Sequence, residues 1–130
     1  MRIDTIKNRR DFLSAAAKGK KFIAGSVILQ MIERPEGHPV TSVAPRFGFT
    51  VTKKMGNAVI RNRIKRRLRA ALRQLPPHLA LPGCDYVLIS RQKALDCAFS
   101  DLLRDIEFAF SRIPTMKDEP STSRYTKKRT

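Results

Sequence analysis

The stretch that most constrains this chain begins at Lys53 and reads KKMGNAVIRNRIKRRLRAALR. Ile60, Ile64, Leu68, Ala71, Leu72 and Leu75 recur at spacings of three and four, which draws one apolar stripe down a helix. At ~100° per residue, Arg63, Lys65, Arg66, Arg67, Arg69 and Arg73 fill the remaining circumference. Arg61 falls on the border of the stripe. Gly56 supplies a turn, and Asn57 is a good N-cap because its side-chain oxygen can accept from free amides of the first turn.

A solvated helix face ordinarily mixes acids with bases, so that neighbours attract at i, i+4. Here seven of the thirteen residues from Arg61 to Arg73 are Arg or Lys and none is acidic. Lys65 faces Arg61 and Arg69, and Arg73 follows Arg69. Each like-charged pair costs roughly a few tenths of a kcal/mol, a cost that an external polyanion removes. Nucleic acid is the first reading. An anionic membrane surface, an acidic partner protein and a merely soluble basic helix stay open. The whole chain carries a net charge of +16 over 130 residues, concentrated where no acid occurs between Glu36 and Asp85. Its 42% hydrophobic content fits one globular domain rather than a basic tail.

Other chemistries find little support. Cys84 and Cys97 are too few for a disulfide framework or a zinc site and read as reduced thiols. His38 and His78 sit beside prolines, match no metal-ligand spacing and read as surface residues. No apolar run is long enough to span a membrane and no signal-peptide core is evident, so a cytoplasmic protein is expected. No His pair, carboxylate cluster or nucleophile–His constellation suggests a self-sufficient nuclease.

Around the basic helix, periodicity predicts an order α-β-β-α-β-α. Residues 2–7 read as an irregular lead-in. A first helix follows Asn8, with Asp11 in its first turn, and stops at Gly19. Residues 22–32 read as one strand, 33–45 as a long loop, and 46–52 as a second strand. In that strand Phe47, Phe49 and Val51 face the core, while Gly48, Thr50 and Thr52 face away. Pro76 and Pro77 end the basic helix. Residues 85–91 form a third strand. Asp96 is expected to cap a last helix whose stripe is Phe99, Leu102, Leu103, Ile106, Phe110 and Ile113. The domain is expected to span residues 1–113, with 114–130 a polar, disordered tail.

With FGFTVTKKMGNAVIRNRIKRRLR and DYVLISR placed on strand, helix and strand, the chain closely resembles the protein subunit of bacterial ribonuclease P. The likeness covers most of residues 8–112, and its most specific part is Arg61-Asn62-Arg63, which matches the family's RNR motif. The resemblance implies an α+β sandwich of the kind seen in the second domain of a ribosomal protein. Its central βαβ crossover is left-handed, against the general rule. It also implies an accessory subunit of the endoribonuclease that removes the 5′ leader of precursor tRNA. Catalysis then lies in an RNA subunit, with Mg2+ held mainly by RNA, and no obligate protein partner or membrane is expected.

Carried over by this resemblance, Lys53, Lys54, Asn57, Arg61, Asn62, Arg63, Lys65, Arg66, Arg67 and Arg69 contact the catalytic RNA, with Arg73 extending the face. Phe12, Lys18, Gln30, Thr50, Thr52 and Arg91 fall to a sheet-face cleft for the single-stranded leader, with Lys20 and Lys21 near it. Phe12 alternatively anchors the first helix to the sheet as a core residue. Ala16 stands where many members carry a second aromatic, and Gln30 where a tyrosine is common. A ribosomal-type RNA-binding protein without a processing role is the main alternative. A membrane- or acidic-protein-binding module is disfavoured, because the stripe lacks Phe and Trp.

Overall fold

The computed structural model describes residues 1–116. In chain order the elements are β1 (Asp4–Thr5), α1 (Arg9–Lys18), β2 (Lys20–Ala24), β3 (Val27–Glu33), β4 (Arg46–Thr50), α2 (Ala58–Arg73), β5 (Cys84–Ser90) and α3 (Phe99–Arg112). The strands form one sheet in the order β1-β4-β5-β3-β2. The fold is α+β, as expected. β4 and β5 are adjacent and parallel, with Phe47 opposite Tyr86, and α2 is the crossover between them.

Three expectations need correction. The strand expected over residues 22–32 is a hairpin, with Ala24 opposite Val27 and Gly25-Ser26 as its turn. The turn is held from outside: the Asp105 carboxylate of α3 accepts from Ser26 N–H at 2.9 Å and from Ser26 Oγ–H at 2.7 Å. The lead-in is partly ordered, because Asp4–Thr5 pairs in parallel with β4 and Ile6 N–H donates to Phe47 O at 2.9 Å. Asp96 does not cap the last helix; Ala98 is its N-cap, with no side-chain hydrogen bond. Ile113–Thr115 is a 3₁₀ turn and Met116 packs on the core. The rest of the expected tail lies outside the described residues.

The sheet separates two unequal layers. On one face Leu29, Phe47, Tyr86 and Leu88 meet Ile64, Leu68 and Leu72 of α2 and Leu102, Ile106 and Phe110 of α3, all fully buried. Side chains of this size contribute ~1.5–3 kcal/mol each when fully buried, so this layer carries most of the stability. Tyr86 stacks on Phe47 at 5.7 Å, and its hydroxyl accepts from Leu81 N–H at 2.8 Å. Burial pushes that phenol up to about 12. Cys84 is also buried, which raises its thiol above the usual range, and both cysteines are free.

The opposite face carries α1 alone, over a small cluster of Ile6, Ala15 and Val87 with Phe12 half-buried beside it. The helix sits low because of Gly48. A Cβ at that position would lie 2.4 Å from Phe12 Cε1, so any side chain there displaces the ring.

Candidate nucleic-acid interface

The basic helix starts from a built corner. A 3₁₀ turn at Lys53–Met55 ends at Gly56, whose φ of 140° belongs to glycine. Asn57 is the N-cap, and its side chain accepts from Ile60 N–H at 3.0 Å, as its sequence position predicts. The Nε–H of Arg61 donates back to Gly56 O at 3.1 Å, which ties the first arginine of the RNR motif to the corner.

The remaining cations divide by what they touch. Lys53, Lys54, Asn62, Arg63, Arg66 and Arg73 are exposed. Arg67 is half-buried and donates to the carbonyls of Leu95, at 2.7 Å, and Cys97. It therefore clamps the connection between β5 and α3. Arg69 lies over the ring of Phe49, 5.1 Å from its centroid. Among the described residues no carboxylate forms an ion pair with any cation of α2 or of the corner before it.

Where β1 ends, the edge of β4 opens into a cleft of about 180 Å³ lined by Thr5, Phe12, Gly48, Phe49, Lys65 and Arg69. It brings Phe12 and the flank of the basic helix to one place. Thr50 is half-buried and Thr52 exposed, and alternation puts both on the Gly48 side of the strand. Arg91 is exposed at the end of β5, with its guanidinium 3.4 Å from Gly25 O. Gln30, opposite Val87, lies on the same face but under α1, and Lys18 lies at the end of that helix. Gln30 is buried, at 4% exposure. Lys18 lines a separate groove with Lys20, Glu33 and Leu81.

A second cluster of charge had no counterpart in the sequence reading. Asp85 accepts from Arg34 Nη1 at 2.7 Å and from Arg46 through Nε at 3.0 Å and Nη2 at 2.7 Å. Arg46 Nη2 also donates to Asp11 Oδ2 at 3.0 Å. His38 belongs to this network rather than to the surface. Its Nε2 lies 3.0 Å from Asp11 Oδ1, and its Nδ1 accepts from Val40 N–H at 3.0 Å. Arg34 further donates to the carbonyls of Ser42 and Ala44, which fastens the long loop. Burial pushes the Asp11 carboxyl up, but hydrogen bonds from His38 and Arg46 and their charge outweigh it and leave it below 3.8.

Asp11, His38 and Asp85 thus form the carboxylate–histidine grouping that the sequence did not suggest, with ligand atoms within 4.8 Å of one another. It is a poor cation site. Both oxygens of each carboxylate already accept hydrogen bonds, and two guanidinium groups occupy the position that a divalent ion would need. No described helix is long and apolar enough to cross a membrane.

The sequence matches the family model for ribonuclease P over residues 1–114. It is 42% identical to the ribonuclease P protein component of Paramagnetospirillum magneticum over 116 residues, covering 89% of this chain and 86% of that one. The corresponding component of Gluconacetobacter diazotrophicus is 41% identical, over 81% of this chain and 86% of the relative. The fold superposes on the RNase P protein of Staphylococcus aureus with a TM-score of 0.67 and 28% identity, covering 83% of this chain and 93% of that one. It superposes on the RNase P protein from Thermotoga maritima with a TM-score of 0.70 and 24% identity, covering 85% and 97%. The chain belongs to the bacterial ribonuclease P protein family, the protein components of a tRNA-processing endoribonuclease.

Proposed function

We propose that this protein binds the catalytic RNA through the outer face of α2 and holds the unpaired 5′ leader of precursor tRNA across the sheet face beside α1. The observation that carries this reading is the unneutralised row of Asn62, Arg63, Arg66 and Arg73, with Lys53 and Lys54 at its head. Arginine forks engage phosphate oxygens in pairs, and a groove of cations without acids attracts a polyanion over long range. Lys65 and Arg69 extend that charge into the cleft beside Phe12, where a base can lie against the ring.

The protein supplies binding and orientation, and the RNA supplies the reaction. Magnesium ions belong to RNA phosphates in this scheme, because the one carboxylate–histidine grouping among the described residues is consumed by Arg34 and Arg46. The test is reconstitution. Protein and the catalytic RNA of the same source are mixed at near-physiological magnesium, and cleavage of a precursor tRNA is followed. Cleavage at the mature 5′ end that requires both components is expected. Tight binding to that RNA without stimulation of cleavage would leave a ribosomal-type RNA-binding protein.

A further inference from the structure

The two layers on the sheet are held by different means. α2 and α3 rest on the large apolar core, whereas α1 rests on Ile6, Ala15 and Val87 with Phe12 at their margin. The seat under α1 is also partly polar. Gln30 is buried there opposite Val87, and its side-chain amide has no hydrogen-bond partner among the described residues. A buried amide left unpaired opposes the docking of α1, since water satisfies it when the helix lifts. Apolar contact alone therefore holds α1 weakly, and its polar ties decide where it sits.

Among the described residues, the side-chain ties from α1 to the rest of the fold pass through Asp11. Its Oδ2 accepts from Arg46 Nη2 at 3.0 Å, which binds α1 to β4. Its Oδ1 lies 3.0 Å from His38 Nε2, which binds α1 to the loop between β3 and β4. That loop presents the ring in a fixed pose. His38 N–H donates to Pro35 O at 3.1 Å across a turn in which Gly37 takes a φ of 85°. The ring Nδ1 accepts from Val40 N–H at 3.0 Å, so a neutral His38 carries its proton on Nε2 and donates it to Asp11. Arg34 fastens the far end of the loop through Ser42 O and Ala44 O. Elsewhere the loop stands off the helix. A cavity of about 300 Å³, walled by Arg10, Ser14, Glu36 and Pro39, lies between them. Among the described residues, the bond from His38 to Asp11 is the one hydrogen bond that crosses it.

We infer that His38 is a positioning residue: through Asp11 it latches the first turns of α1 onto the sheet and so fixes Phe12, the next residue, beside Gly48. The long loop is a strap with one point of attachment, and that attachment sets one wall of the cleft. Without the latch, α1 keeps Arg46 but opens more often, while α2 and α3 stay closed on their own core. The latch stands on this geometry alone. Its effect on the reaction rests on the leader-binding reading above.

Amide hydrogen exchange of the full chain tests the latch without RNA. His38→Ala is expected to speed exchange in α1 about ten-fold and to leave α2 and α3 unchanged. His38→Gln, whose side-chain amide can donate to Asp11, is expected to recover most of that protection. In holoenzyme reconstituted with the catalytic RNA, His38→Ala should weaken binding of leader-bearing precursor about three-fold and leave mature tRNA unaffected, with His38→Gln again restoring the parent value. Unchanged exchange in α1 overturns the latch. Equal acceleration in all three helices overturns it too, because His38 then only stabilises the fold as a whole. Faster exchange confined to α1 with unaltered precursor affinity overturns the positioning role. Should the unsubstituted protein bind precursor no more tightly than mature tRNA, the leader-binding reading fails by itself, and exchange in α1 still decides the latch.

Discussion

Arginine serves two different ends in this molecule, and the company it keeps distinguishes them. At the junction of α1, β4 and β5, Arg34 and Arg46 are buried and share Asp85, with Asp11 and His38 completing a nearly neutral network. On α2, Arg63, Arg66 and Arg73 stand exposed, and no carboxylate among the described residues answers them. The first cluster is internally satisfied and holds α1 and the long loop on the sheet. The second finds no acid among the described residues, and in the proposed function its counter-charge is RNA phosphate. On that proposal, charge marks an interface where the counter-charge is missing.

The largest test of that contrast removes the shared acid. Asp85→Ala leaves two buried guanidinium groups without their main acceptor, and breaking a buried pair this way costs about 3–5 kcal/mol. Urea unfolding should show that loss. A cost below about 1 kcal/mol would mean that the network is solvated and the two clusters differ less than their geometry suggests.

Arg67 blurs the contrast, since it sits on the basic helix yet donates to two backbone carbonyls. Arg67→Ala is expected to cost about 1.5–3 kcal/mol of stability, as for hydrogen bonds to a charged group. Arg63→Ala should stay within ~0.5 kcal/mol, yet lower the log–log salt slope of catalytic-RNA binding by about one. If both substitutions change the slope and neither changes stability, Arg67 belongs with the exposed row and its carbonyl contacts are incidental.

The network should also announce itself in acid. Asp11 is held below its ordinary value of 3.8, so its contribution is complete above that pH and disappears as pH falls below it, through the lowered folded value. Asp11→Asn should therefore be less stable than the parent at neutral pH and converge with it at the acid end. Urea midpoints measured down the acid limb decide this. A constant gap at every pH would place the effect of Asn in packing rather than in charge.

What could be read beforehand follows from how local each signal is. The basic helix, its Asn57 cap and β4 announced themselves through period and spacing within a few residues. The ionic network could not, because Asp11, Arg34, His38, Arg46 and Asp85 lie 27 to 51 residues from their partners. Its only trace was a lone charge at the head of each of two apolar strands, Arg46 and Asp85. The hairpin was hidden in a continuous apolar run, with Gly25-Ser26 as the one visible break. Gln30 read as a surface position because the sequence does not say how far α1 reaches over β3. Arg61 and Arg67 look identical to Arg63 in the motif, and only the backbone carbonyls near them show that they brace the fold.

The finest test separates the two roles within one residue. Asn57 caps α2 through its side-chain oxygen and is also exposed at the head of the basic face. Asn57→Ala removes the cap and should cost about 1 kcal/mol. Asn57→Asp keeps an acceptor at the same place, and its negative charge suits the helix N-terminus, so stability should hold or rise slightly. That same charge stands among Lys53, Lys54 and the RNR residues, where a phosphate is expected, and should weaken catalytic-RNA binding more than Asn57→Ala does. Melting and RNA affinity would then move in opposite order across the two variants. If Asn57→Asp binds as tightly as the parent, the RNA contact begins further along the helix, at Asn62 and Arg63, and the corner at Gly56 serves only to start α2.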